Sequence, residues 1–491
     1  MTIKMRLLLP FVLASLIAVG AWAQTPAELF QTGVKAFRAG DFAAATTAFE
    51  ATSKVAPQDP AVWSWLGASY LAQKQYDRAI AALGQAVKIN PNDADAQNNL
   101  GNAYLGNGDS SRAIGAYQQA IRLRPAGADA YYNLGNIYLQ QGKYDEAAAQ
   151  YRAALPLDPA SADLRTNLAI ALSRKGDVNG ALVAYREAVK LSPQSATAYL
   201  NLGLAASQAG ASQEAVSSLL RATQLDASSF EAYVNLGMVY LQLDRAPQAL
   251  GALQKAARLQ PRDFATHFNL GVCYGRLRQP DLAIAEYRQA LEIKARDRDA
   301  QNNLASILLE QDRVGEAVPI LEGLSTEYPT FLLGRHNLAL AYLRQGKTEQ
   351  AIGEWREVLR MQPANVAAHE ALANLYFNQR DLASAVTEYE ETLRLDPSRA
   401  EARNNLGLIY LEQDRAPEAR DQFLALLKLD PKYLLAHNNL GVAYEKLGDF
   451  EKAKASYRQA LALDPNYADA QKNLERLEPK PAPASPAPHP G

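Results

Sequence analysis

The sequence predicts an all-α solenoid of thirteen tandem 34-residue helix–turn–helix units, closed by a C-terminal capping helix. Three observations predict it. The stretch 128–161, ADAYYNLGNIYLQQGKYDEAAAQYRAALPLDPAS, recurs twelve more times in steps of 34 residues, with no insertion or deletion. Small residues fall in one register, at Gly33, Gly67, Gly101, Gly135 and every later equivalent to Gly441, with Ala169, Ala305, Ala339 and Ala373 as the only substitutes. A second register holds alanine in all thirteen units, from Ala45 and Ala79 through Ala147 to Ala453. A fixed period of this length marks units that bury their apolar faces on their neighbours, so the chain grows without one central core.

In chain order, residues 1–23 come first and are not part of the fold. Lys4 and Arg6 precede an apolar run from Leu7 to about Gly20, followed by Ala21-Trp22-Ala23. A charged start, an apolar stretch and an A-x-A site describe a secretory signal peptide, with cleavage expected after Ala23. The run is short for a membrane span, so no integral span is expected after cleavage. The single cysteine, Cys273, rules out an intramolecular disulfide in an oxidising compartment. The repeat region is 24–467: repeat 1 is 26–59, and each later unit starts 34 residues on, to repeat 13 at 434–467. Repeats 1 and 2 are atypical, with Thr32 where the other units have leucine, and with Trp63 and Trp65 enlarging the second unit. Residues 468–477, ADAQKNLERL, start a further unit without a second helix; Glu475 stands at the small-residue position, as suits a solvent-facing cap. The tail, 478–491, has six prolines in fourteen residues and reads as an extended, disordered spacer or docking strand.

Within a unit, with Ala128 as position 1, helical angles of about 100° per residue place positions 4, 7, 8 and 11 (Tyr131, Leu134, Gly135, Tyr138) on one face of the first helix. Positions 20, 24 and 27 (Ala147, Tyr151, Ala154) share a face of the second. Large opposite small lets the helices interlock. Glycine inside a helix costs roughly 1 kcal/mol relative to alanine. Nine of thirteen units nevertheless have it at position 8, so close approach demands it. Proline closes the second helix in eleven of thirteen units, with Ala227 and Ala295 in the other two. Pro319, inside the second helix of repeat 9, is expected to bend that helix and to make repeats 8 and 9 a hinge.

These positions and this period resemble the tetratricopeptide repeat family over residues 26–477. The resemblance implies right-handed superhelices whose first helices line a concave groove, and a binding scaffold rather than a catalyst. It does not name the partner.

The candidate site lies on the other face of the first helix, at positions 2, 6, 9 and 13. Position 6 carries Asn99, Asn133, Asn167, Asn201, Asn235, Asn269, Asn303, Asn337, Asn405 and Asn439, with Ala371 interrupting the row and Asn473 extending it into the cap. Asparagine is a mediocre helix former, and packing within the unit does not require it. A carboxamide offers a donor and an acceptor together, matching a peptide group. Two readings stay open: a ladder that holds an extended backbone, or bonds to the neighbouring repeat and to water. The ladder resembles that in the repeat domain of O-linked N-acetylglucosamine transferases, whose asparagines at this position grip the substrate backbone; no residues remain here for their catalytic domain. At positions 2 and 9, repeats 3 and 4 are polar (Asp95, Asn102, Asp129, Asn136), whereas repeats 5 to 8 are more apolar (Ile170, Leu204, Met238, Val272). Carboxylate-clamp members of the family need lysine and arginine on this face, and Arg174, Arg276, Arg344 and Lys446 are scattered singly. An extended segment with apolar anchors is therefore the expected ligand.

The rest of the chemistry is negative. Lys+Arg 50 against Asp+Glu 52 gives a formal charge of −2, without the basic stripe of a nucleic-acid binder. His267, His369 and His437 occupy packing position 4 and read as interhelical fillers, not metal ligands. Cys273 reads as a buried small residue, not a nucleophile. Tyr117, Tyr151, Tyr185, Tyr287, Tyr389 and Tyr457 read as core, and no phosphate loop, G-x-S-x-G or paired cysteine occurs. No catalytic residue, metal or cofactor is expected. The expectation is an exported, non-catalytic scaffold, periplasmic or outer-envelope associated in a bacterium, whose partners are proteins or extended peptide segments. The alternative is a regulatory or targeting subunit for a separate enzyme such as a glycosyltransferase. Self-association through the solenoid ends and Trp65 stays open.

Overall fold

A computed structural model describes residues 25–478. The expected signal peptide, 1–23, and the proline-rich residues 479–491 lie outside the described residues. Among those described, every regular element is an α-helix, twenty-seven in all. Each first helix starts at position 1 and each second helix at position 17, as in Ala128–Gln140 with Tyr144–Ala154, and Ala196–Gln208 with Ser212–Leu225. First helices are capped by the residue before them: the Asp59, Ser161, Ser195 and Asp297 side chains accept backbone N–H bonds from the first turn. Consecutive helices pack as antiparallel pairs, so the fold is an α-solenoid.

Between the two helices, position 15 is left-handed in all thirteen repeats. Seven units use glycine there, such as Gly142 at φ 73°, and six use Lys74, Asp244, Arg278, Asp312, Arg380 and Asp414, at φ 55–64°. A residue with a Cβ pays about 1 kcal/mol for this conformation. Lys74 is exposed. Lys74→Gly is therefore expected to stabilise the first unit by roughly 0.5–1 kcal/mol, read as a higher urea midpoint at unchanged slope.

The helices group into two compact units, one ending at Pro261 and one starting at Arg262. The first holds repeats 1–7. Its repeating core contact is the position-24 side chain against the position-8 residue. A Cβ added to Gly101 would sit 2.6 Å from the Tyr117 ring, and one on Gly135 would sit 2.7 Å from that of Tyr151. Trp65 does not sit at a free end. It is 3% exposed, and its ring packs against Phe30, Phe37 and Phe49, with the Phe37 centroid at 5.3 Å. Of the two routes left open for self-association, Trp65 is therefore buried inside the first unit, where it joins the aromatic core cluster of repeats 1 and 2. In repeat 4 the second helix ends at Ala154, three residues short of its equivalents, because Pro156 follows.

The second unit holds repeats 8–13 and the closing helix Ala468–Leu477. The same contact recurs at Gly271 with Tyr287 and at Gly407 with Phe423. Helix Val314–Glu327 runs through Pro319 without interruption. Pro319 and Gly315, whose carbonyl loses its partner, are both exposed, so water can take that bond. The position-4 histidines are more than fillers. His267 Nδ1 lies 2.6 Å from Glu286 Oε2, and His369 Nδ1 lies 2.6 Å from Glu388 Oε2, each linking first helix to second. Arg335 makes the equivalent bond to Glu354 at 2.6 Å. Cys273 is fully buried. The closing helix buries Ala470 and exposes Glu475, and Arg476 reaches Glu445 of repeat 13.

Candidate functional site

The asparagine row is not uniform, because the preceding repeat decides what each carboxamide can reach. In repeat 4, Asn133 is buried and its Nδ2 donates to Asn98 Oδ1 (3.4 Å) and Asn102 Oδ1 (3.2 Å) of repeat 3. Asn167 Nδ2 donates to Asn136 Oδ1 at 2.9 Å, one repeat back. The same oxygen accepts the Tyr151 hydroxyl at 2.8 Å, and Asn102 accepts the Tyr117 hydroxyl at 2.7 Å. Burial pushes both phenols far above their ordinary pKa, which keeps them protonated donors. Asn99 is also buried.

In the second unit, Asn337 donates to Asn302 (2.8 Å) and Ser306 (3.1 Å), and Asn439 donates to Asn404 (3.1 Å). Asn473 donates to Asn438 at 3.1 Å. Asn405 donates to the Tyr389 hydroxyl at 3.1 Å, and Asn303 bonds that of Tyr287. Many members of the row are therefore staples between consecutive repeats. Each Asn-Asn doublet in the sequence (98–99, 302–303, 404–405, 438–439) supplies, from its first residue, the acceptor for the asparagine 35 residues on. The doublets are the sequence signal of these staples. The wiring also accounts for why packing within a unit does not demand asparagine at position 6: the demand comes from the next repeat.

Three consecutive asparagines escape this arrangement. Asn235 follows a repeat with leucine at positions 5, 9 and 24 (Leu200, Leu204, Leu219), which offers no polar partner. Its Nδ2 turns to Glu231 O of its own helix, at 2.7 Å. Asn269 likewise donates to Ala265 O, at 2.8 Å. Asn201 follows Ile170, which has no acceptor, and the Thr166 hydroxyl is turned to its own helix, donating to Ala162 O at 2.8 Å. Among the described residues the Asn201 carboxamide has no hydrogen-bond partner.

Asn201 instead faces open space. It lines a cavity of about 840 Å³ in the first unit with Asn167, Asp163, Ile170 and Arg174. These are positions 6, 2, 9 and 13, the face singled out from the sequence. Tyr132, Leu139 and Tyr144 of repeat 4 and Thr166 and Thr197 complete the wall. The size suits a small ligand or a few residues of a peptide. Farther along the same face, Leu204 and Met238 at position 9 are 36% and 38% exposed. By contrast, Asn102 and Asn136, at position 9 of repeats 3 and 4, are buried and spent on the staples. In the second unit a smaller cavity, about 540 Å³, is lined by Arg276, Arg278, Ile307 and Glu310 and includes no member of the row. Among the described residues no cluster of metal-binding side chains occurs, and no helix is long and apolar enough to cross a membrane.

Sequence profiles of the tetratricopeptide repeat match residues 98–162, 274–330, 336–391 and 370–434, with others at 196–229, 228–296 and 435–467. A further TPR profile matches 67–108 and 173–210. The chain belongs to the tetratricopeptide repeat family. As a tetratricopeptide repeat array it is a protein–protein interaction scaffold. Among solved structures, it is similar to YrrB, described as a TPR protein with an unusual peptide-binding site, at 28% identity over 38% of this chain and 96% of that one (TM-score 0.36). It is also similar to the Cut9–Hcn1 hetero-tetramer of the APC/C, at 14% identity over 93% and 96% (TM-score 0.36), and to MamA, at 27% over 33% and 95% (TM-score 0.32). No curated protein matches the chain.

Proposed function

We propose that this tetratricopeptide repeat protein holds an extended polypeptide segment against the first helices of repeats 4 to 7. The carrying observation is that Asn201 and Asn235 are not spent on the preceding repeat, in the stretch where position 9 turns apolar and exposed. Asn201 and Asn235 are the groups that meet the ligand backbone, each able to donate to a C=O and accept from an N–H. Ile170, Leu204 and Met238 take its apolar side chains. The stapled asparagines hold the repeats in the spacing this requires. Residues 1–23 support export as the setting of this scaffold, with a role in assembling envelope or secretion complexes.

Binding to a peptide array tests the reading, with the parent chain beside Asn201→Ala/Asn235→Ala. Losing two neutral hydrogen bonds should weaken binding about tenfold or more across unrelated peptides, with unchanged helical circular dichroism. Equal binding by the two proteins would refute the groove reading.

A further inference from the structure

The groove of repeats 4 to 7 has a candidate occupant in the chain itself, and the inference rests on the groove reading above. Residues 479–491, PKPAPASPAPHPG, hold six prolines, one lysine and no acid. We propose that this segment, from a second copy of the chain, lies in the groove as a polyproline II strand.

The match has four parts. A polyproline II strand turns once in three residues, about 9 Å, and helices in contact lie about 8–10 Å apart. The first helices of repeats 4 and 5, and of repeats 6 and 7, touch one another, so one strand turn meets one repeat. The hydrogen-bond chemistry is also complementary. Proline has no N–H, and a polyproline II strand leaves its carbonyls unbonded. Such a ligand needs donors, which the Asn201 and Asn235 Nδ2 groups supply. Third, Tyr132 and Tyr144 line the cavity and Leu204 and Met238 continue it, giving proline rings the aromatic and apolar surface on which such strands are recognised. Fourth, Glu231, exposed one turn from Asn235, offers a carboxylate to Lys480.

Length also suits the groove. Thirteen residues at about 3.1 Å each span about 40 Å, as do four repeats at about 10 Å. The whole segment is used in the groove.

The test uses full-length chains. Light scattering of the parent should show a mass that rises with concentration, whereas a chain carrying Pro481→Ala, Pro483→Ala, Pro486→Ala and Pro488→Ala should stay monomeric. A labelled peptide of residues 478–491 should bind that substituted chain. Adding Asn201→Ala and Asn235→Ala should weaken it about tenfold. A parent that remains monomeric, or a substituted chain that associates as the parent does, overturns the proposal. So does a peptide that fails to bind. If the peptide fails while unrelated array peptides still bind in an Asn201- and Asn235-dependent way, the groove reading survives and only this occupant is wrong.

Discussion

Gly135→Val is expected to destabilise the first unit by about 3 kcal/mol, at the upper end of the range for overpacking a core. The added Cβ alone would fall 2.7 Å from the Tyr151 ring. That ring is fully buried and has no free space to yield. It cannot swing aside cheaply either, because its hydroxyl is tied to Asn136 at 2.8 Å. The two branched methyls would add to the conflict. Amide hydrogen exchange would locate the damage in repeat 4 and its neighbours, since a solenoid repeat contacts only those beside it. A variant with parental exchange and an unchanged urea midpoint would show that the two helices have more room than the structure gives them.

The second large effect comes from comparing two asparagine-to-alanine substitutions on the same face of the first helices. Asn136→Ala removes the one oxygen that accepts both the Tyr151 hydroxyl and the Asn167 carboxamide. Two donors lose their partner, the buried Tyr151 hydroxyl and the half-buried Asn167 carboxamide, at about 1–3 kcal/mol each, so a loss of roughly 2–6 kcal/mol is expected. Asn201→Ala breaks no hydrogen bond and places the best helix former on a helix, so its stability should stay within about 0.5 kcal/mol of the parent. The binding effects should run the other way, with Asn201→Ala impairing capture of an extended segment. Thermal or urea melts beside the peptide array separate the two roles. Similar melts for the two variants would show that the Asn136 carboxamide is not a staple between repeats 4 and 5 and that the division into staples and ligand groups is wrong.

Much of the fold was legible because its physical causes are local and repeated. Proline closes the second helix, glycine or alanine at position 8 admits a ring from position 24, and alanine at position 20 lets the helices meet. The alanine is written thirteen times, the proline eleven times and the ring nine times, with leucine in the other four units. Pro156 shortens a helix in plain view, in the run LPLDP, while Pro319, which stood out, leaves its helix continuous. The left-handed turn at position 15 is visible where it is glycine and hidden where it is Lys74, Arg278 or Arg380, because the tight link between the two helices imposes on those residues a conformation they do not favour.

The candidate site divides in the same way. Its face, positions 2, 6, 9 and 13, followed from helical geometry, and the cavity containing Asp163, Asn167, Ile170 and Arg174 lies on it. The difference between one asparagine and the next did not follow from that geometry. By itself the sequence determined the period, the helix boundaries' causes and the identity of the row, since these depend on residues within one unit. Only the tertiary structure decided which carboxamides are staples and which are left for a ligand. The reason is that a hydrogen bond is settled by what stands 31 or 35 residues earlier, across an interface between repeats: an asparagine at Asn102, Asn136 or Asn302, and an aliphatic side chain at Ile170 or Leu204.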